Sequence, residues 1–440
     1  MRRHTDTCAR QGGTGKLYHM GELNNKRIVL GITGGIAAYK SAELTRGLRA
    51  AGAAVRVIMT RAATEFITPL TLQAVSGNPV HLHMLAGVAD TDPAQAESQG
   101  DAMDHIALAR WADAVLVAPA SADFLARLAQ GRADDLLTTV CLASTAPLAV
   151  APAMNQQMWL NTATQANVKT IKINGVKTFG PAEGAQACGE TGPGRMLEPG
   201  ELVALTAGLF ATGLLSNVRV VVTAGPTWEA IDPVRGMTNR SSGKMGYAVA
   251  EAAAEAGGSV LLVSGPTNLP DPDRVHTVRV TSAQEMFDAV HAHIREADIF
   301  IGVAAVADYR PADFNADKIK KDRDTLNLEL VKNPDILASV ASLDGAPFTV
   351  GFAAETKDLE RHARKKLQDK HLDLIAANLV GLEGRGFEAE DNSLLLIDRS
   401  GTVELPTQHK SRLARSLIQH IAKRYDEKDS AKNSRQAHWQ

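Results

Sequence analysis

Cysteine is scarce in this chain of 440 residues, which has only Cys8, Cys141 and Cys188. Three widely spaced thiols argue against a disulfide framework and a cysteine-rich zinc site, and they fit a reducing, cytoplasmic compartment. Aromatic residues make up 4% of the chain, and its longest apolar runs, such as Ile299–Val306, are strand length and far short of a membrane span. Charge of one sign is also missing. With 47 Lys and Arg against 49 Asp and Glu, there is no electrostatic footprint for nucleic acid and no polybasic run for a membrane surface. Neither half contains the GxGxxG turn followed by an acid about twenty residues later, so an NAD-dependent or nucleotide-sugar enzyme is a poor reading.

Glycine and aliphatic residues are plentiful: 36 Gly stand beside a 45% hydrophobic composition. That balance implies an α/β protein rich in tight βα turns, and the length implies two or three domains. Arg27–Ile32 is an apolar run ended by Thr33-Gly-Gly35 and followed by a helical pattern over Ile36–Ala51. The same grammar returns at Val218–Thr223, ended by Ala224-Gly-Pro226. Each reads as a buried strand opening a doubly wound sheet. Further strands are predicted at Ala54–Met59, Ala114–Ala118, Pro147–Ala151, Ser259–Val263, Ile299–Val303, Phe348–Phe352 and Leu372–Ala376, with Leu394–Ile397 as an edge strand. The expected organisation is a disordered extension over residues 1–24, one α/β domain over 25–213, a second over 218–425, and a disordered tail over 426–440.

Several short segments carry chemistry. Gly34, Gly35 and Ile36 lie where a strand turns into a helix, a place where backbone amides can meet a phosphate. Thr60 and Ser121 follow neighbouring strands at their carboxyl ends, where open α/β sheets bind ligands, although Ser121 could equally cap the next helix. His105 opens a predicted helix. Asn155 stands in Ala151–Met158 after a strand, and a turn role would account for it as well. Cys188 sits in Ala187–Met196 among Gly189, Gly192, Gly194, Arg195 and Met196, a segment too rich in Gly and Pro for helix or strand and so read as a flexible flap.

In order and combination, these motifs resemble the flavin-dependent cysteine decarboxylases, and in particular the bacterial bifunctional phosphopantothenoylcysteine decarboxylase/phosphopantothenate–cysteine ligases. The likeness runs from about Lys26 to Asp426. It implies a flavodoxin-like, FMN-binding first domain and a Rossmann-like, nucleotide-binding ligase domain. It also implies that FMN oxidises the substrate thiol, creating the electron sink that loss of carbon dioxide needs. By similarity His105 is the active-site base, Asn155 holds the substrate carboxylate, and Cys188 donates a proton from a flap hinged on its glycines. A non-catalytic flavin-binding regulator is the alternative, opposed by the joint presence of those three residues.

In the second half, Thr238–Gly246 is a Gly/Ser-rich loop carrying Asn239, Ser241, Ser242, Gly243 and Lys244, suited to phosphate without being a Walker A sequence. Asp308 ends a strand, and Lys318–Lys321 follows. The resemblance implies CTP-dependent ligation of cysteine to 4′-phosphopantothenate through an acyl-cytidylate. Asn239 would align that intermediate and Lys318 would neutralise triphosphate charge. Ala304, Ala305, Asp308, Pro334, Asp335, Ile336, Leu337, Phe352, Lys366 and Lys370 fall where the family binds CTP, with Mg²⁺ on its phosphates. Arg240 departs from the family, many members of which have His there. The resemblance also implies homo-oligomers, trimers of flavin domains and dimers of ligase domains forming a dodecamer.

Overall fold

The computed structural model describes residues 23–84, 104–320, 326–355, 358–379 and 389–437. The chain divides after Leu209 into two compact units. The described residues start with Leu23, inside the expected extension: its side chain is fully buried and its N–H donates to Ala51 O at 2.9 Å. The rest of that extension lies outside the described residues.

The first unit holds β1 (Arg27–Ile32), β2 (Ala54–Met59), β3 (Val80–His81), β4 (Ala114–Ala120), β5 (Leu148–Pro152) and β6 (Lys177–Thr178). They form one parallel sheet in the order β3-β2-β1-β4-β5-β6. Without the two-residue edge strand β3, the order is that of flavodoxin-like folds. Strand β4 is buried along its whole length, as expected for a parallel strand covered by helices on both faces. The order reverses between β1 and β4, which places the ligand crevice at their carboxyl ends.

An antiparallel pair, β7 (Ala182–Ala185) and β8 (Thr191–Arg195), follows this sheet. It corrects the expectation that the Cys188 segment contains no strand. The glycines there do not prevent pairing; they let the ribbon lie flat on the loop that carries Asn155. A Cβ on Gly192 would overlap the Gln156 side chain, and one on Gly194 would overlap the Met154 carbonyl, whose residue donates its own N–H to Gly194 O at 2.9 Å.

The second unit contains β9 (Arg219–Ala224), the small pair β10 (Trp228–Ala230) and β11 (Gly236–Thr238), then β12 (Ser259–Ser264), β13 (Val275–Arg279) and β14 (Ile299–Gly302). The pair β15 (Tyr309–Pro311) and β16 (Leu330–Lys332) follows, and then β17 (Phe348–Glu355), β18 (Leu374–Leu379), β19 (Asp391–Asp398) and β20 (Gly401–His409). The main sheet runs β13-β12-β9-β14-β17-β18-β19-β20, parallel as far as β18 and antiparallel beyond it. Its first six strands follow the Rossmann order, with the switch between β9 and β14. Leu394–Ile397 is therefore interior. The edge is β20, whose largely exposed, polar sequence and Pro406 gave no apolar signal and are typical of a protected sheet edge.

The expected tail is also corrected, because one helix spans Lys410–Ala437. Leu413, Leu417, Ile418 and Ile421 are fully or almost fully buried in the main core of this unit, each burial contributing about 1.5–3 kcal/mol. Once that stripe fixes the helix, the charged residues after Tyr425 continue it, since none of them is Gly or Pro. Lys428 anchors the extension by donating to both carboxylate oxygens of Asp373 at 2.6 and 2.7 Å.

Candidate functional site

In the first unit, Thr33 ties the ends of β1 and β4 together. Its Oγ1 donates to Pro119 O at 2.8 Å and accepts from Ser121 N–H at 2.9 Å. Ser121 Oγ in turn accepts from Phe124 N–H at 3.2 Å, so it caps the helix Ala122–Ala129 while also facing the crevice. A cavity of about 650 Å³ opens here, lined by Gly34, Gly35, Ile36, Ser121, Asn155, Cys188, Gly194, Arg195 and Met196 from the motifs above.

Tyr39, Lys40, Met154 and Met158 of the same motifs also line it, as does Gln186, which no sequence signal marked. Lys40 is nearly buried and donates to Glu198 Oε1 at 2.9 Å, and Arg195 donates to the same oxygen at 2.6 Å. The Lys40 hydrogen bond is the main force holding the Glu198 carboxyl below its ordinary pKa. Gly35 is extended, and nothing lies within 4 Å of where its Cβ would stand. The turn is thus open to a ligand, and the cavity's size and mixed apolar and polar lining fit a flavin mononucleotide.

Asn155 N-caps the helix Gln156–Leu160, its Oδ1 accepting from Gln157 N–H at 2.8 Å. That bond turns Nδ2 toward the hairpin, where it lies 3.4 Å from Cys188 Sγ, 3.4 Å from Gln186 Oε1 and 2.7 Å from Glu190 Oε2. Cys188 is exposed and lines the cavity. Four predicted residues lie elsewhere, the first being Gly192, which sits on β8 against the Gln156 side chain. Thr60 N-caps a helical turn beside β1, its N–H bonded to Ile32 O at 3.0 Å. Gly189 is in the left-handed region at the hairpin turn, away from the cavity lining. His105 lies on the helix Asp104–Trp111, off the cavity, and its Nδ1 is buried without a hydrogen-bond partner among the described residues.

In the second unit, two cavities meet at the ends of β9, β14 and β17. One, of about 590 Å³, is lined by Ala304, Asp308, Lys332, Pro334, Asp335, Ile336, Leu337, Phe352, Lys366 and Lys370 among others. The other, of about 420 Å³, is lined by Asn239, Arg240, Lys244, Ala304, Ala305, Phe352, Lys366, Asn392 and Lys410 among others. Asn239 joins the Gly/Ser loop to the strand end by donating Nδ2 to Ala305 O at 3.1 Å and Val306 O at 3.0 Å.

Asp335 N-caps the helix Ile336–Ala341 and pairs with Lys370 at 2.6 Å. Burial pushes its carboxyl up, but Lys370 and the Ala338 N–H outweigh that and hold it below its ordinary value. Burial, and next the Lys370 charge, lower the Lys366 ammonium, which donates to Phe352 O at 3.0 Å. Lys244 pairs with Glu390. Lys318 lines neither cavity: it is exposed on the loop after β15, whose Ile319 N–H donates to Asp232 Oδ2 at 3.2 Å.

The first half, residues 17–211, matches the Flavoprotein family, and residues 215–425 match the C-terminal domain of the DNA/pantothenate metabolism flavoproteins. Over 405 residues the chain is 54% identical to the coenzyme A biosynthesis bifunctional protein CoaBC of Vibrio vulnificus, covering 91% of this chain and 98% of that protein. The chain belongs to the CoaBC family. The Escherichia coli K12 CoaBC is 51% identical over 412 residues, covering 92% of this chain and 99% of that one. A solved C-terminal domain of a CoaBC is 40% identical, covering 49% of this chain and 99% of that domain, with a TM-score of 0.43. No helix of the described residues is long and apolar enough to cross a membrane, and no group of three or more His, Cys, Asp and Glu that could hold a metal occurs among them.

Proposed function

We propose that this CoaBC chain performs two successive steps of coenzyme A biosynthesis in the cytoplasm. The second unit ligates cysteine to 4′-phosphopantothenate at the expense of CTP and Mg²⁺, and the first decarboxylates the product to 4′-phosphopantetheine. The observation that carries the reading is the meeting of Asn155 Nδ2 and Cys188 Sγ at 3.4 Å on the wall of a cavity that begins at the Gly34–Gly35 turn.

FMN bound by Gly34, Gly35, Ile36 and Ser121 would supply the electron acceptor and donor that this decarboxylation requires. Asn155 holds the substrate carboxylate through Nδ2. Cys188 delivers a proton to the enethiolate carbon left after carbon dioxide departs, and the hairpin excludes water meanwhile. His105 is assigned the role of base in a site shared between copies. Ile36 and Tyr39, each 60% exposed, and Met158, 49% exposed, surround the cavity mouth and favour the homo-oligomer, a dodecamer of trimers and dimers.

In the ligase unit, Asn239 aligns the acyl-cytidylate, and Lys366 and Lys370 face the CTP phosphates beside Asp308, Asp335 and Phe352. Lys318 reaches the triphosphate only after its loop moves.

The test is incubation of the FMN-loaded chain with 4′-phosphopantothenate, cysteine, CTP and Mg²⁺, followed by mass detection. Both the cysteine adduct and its decarboxylated product are expected. A protein that takes up no FMN, or forms the adduct alone, removes the decarboxylase reading; absence of any adduct removes the ligase reading.

A further inference from the structure

Glu190 lies two residues beyond Cys188 on the β7–β8 hairpin, and its carboxylate is already where a ligand's would be. Oε2 accepts from Asn155 Nδ2 at 2.7 Å and from Gln156 Nε2 at 3.2 Å. The Asn155 bond is the shortest that this Nδ2 makes, against 3.4 Å to Gln186 Oε1 and to Cys188 Sγ. The Asn155 amide cannot turn away to serve a second partner without losing the Gln157 N–H on its Oδ1. An amide fixed in direction, whose shortest bond goes to an internal carboxylate, is a site with its own stand-in ligand.

We propose that Glu190 is a surrogate for the substrate carboxylate. In the empty site it holds Asn155 and Gln156 and pins the hairpin down, and the incoming carboxylate must displace it. This inference rests on the reading of Asn155 as the carboxylate-holding residue. Glu190 takes the Asn155 and Gln156 side-chain donors together, and a substrate carboxylate seated on the same two amides competes for them, so binding is exchange and not addition. Exchange of one carboxylate for another leaves the amide donors satisfied throughout.

The asymmetry comes from the reaction itself. Loss of carbon dioxide removes the carboxylate that displaced Glu190, and the vacated donors then favour its return. The hairpin resets as the product loses its hold.

The sign of the effect separates this role from a structural one. A residue that merely stabilises the hairpin weakens substrate binding when removed, whereas a competitor strengthens it. In the FMN-loaded full chain, Glu190→Ala is expected to lower KM for 4′-phosphopantothenoylcysteine roughly three- to tenfold, the size of one ordinary solvent-exposed hydrogen bond lost from the substrate-free enzyme. Glu190→Gln keeps the shape with a weaker acceptor and falls between. In an Asn155→Ala background, followed by substrate titration against the flavin spectrum, Glu190→Ala should change affinity by less than about twofold.

Hydrogen exchange over residues 185–194 without substrate should quicken several-fold in Glu190→Ala. That readout does not depend on turnover, so it tests the latch even where decarboxylation fails and the functional reading falls. A KM that rises or stays unchanged, an equal gain without Asn155, or unaltered exchange overturns the proposal.

Discussion

Two sheets with the same switch-point logic carry opposite crevices in this chain. At the end of β1 the cavity presents a thiol, an amide, methionines and a glycine turn, and its two cations, Lys40 and Arg195, are both bonded to Glu198. At the end of β9 the two cavities present Lys244, Lys332, Lys366, Lys370 and Lys410. Topology sets where ligands can go, and side chains decide what they are. A flavin and a thiol need a shaped, partly apolar enclosure, whereas a triphosphate needs a cluster of positive charge.

The division of labour can be broken in graded ways. The largest effect is expected from Cys188→Ser, which should lower formation of 4′-phosphopantetheine by about 10²–10⁴-fold, the usual worth of a positioned acid, while carbon dioxide release and ligation persist. Mass detection of an oxidised product checks it, and a loss of ligation in the same variant would contradict the separation.

Asn239→Ala removes the amide that joins the Gly/Ser loop to Ala305 and Val306 and should cost ligation about 10²-fold with decarboxylation of supplied substrate unchanged. Lys366→Met removes one of several cations and should raise KM for CTP about tenfold, read by pyrophosphate release.

Asp232 gives a smaller, pH-dependent effect. Burial pushes its carboxyl up, but the Arg235 guanidinium and the N–H groups of Val234, Ile319 and Arg235 hold it well below the ordinary 3.8. A depressed folded value means stabilisation present above the unfolded value and lost as pH falls through the folded one. Asp232→Asn should therefore melt a few °C below wild type at pH 7, and the gap should close toward pH 2. Arg240→His, the smallest change, should alter ligation by no more than about twofold if that position only presents a positive donor.

Interior strands were legible because a parallel strand between two helical layers must be apolar throughout: the runs at Ala54–Met59 and Ala114–Ala118 became β2 and the body of β4. Strand β20 was not, because an edge needs no apolar face. The hairpin carrying Cys188 was misread for a related reason. Local propensity forbids Gly-rich strands, and only the nearness of Gln156 and Met154, a tertiary fact, requires glycine there. Asn155 and Cys188 were legible as chemistry without a core role, and they meet. Lys318 is drawn aside by the bonds of its neighbour Ile319 to Asp232 and Arg235, which no local pattern announces. Glu190 gave no signal at all, since an acid in a polar loop resembles any solvated charge.

The helix Lys410–Ala437 has a consequence for the order of events in the cell. Its apolar stripe fills the main core of the ligase unit, and Lys428 grips Asp373, which itself accepts Thr349 N–H from β17 at 2.9 Å. The strand bearing Phe352 is thus braced by residues made more than seventy positions later. During synthesis the first unit can close on its own strands while the second still lacks the wall of its core. The cavities at the ends of β14 and β17 therefore acquire their shape only after the stretch to about Lys428 has emerged, which makes the helix Lys410–Ala437 the natural place for a truncation to silence ligation and spare decarboxylation.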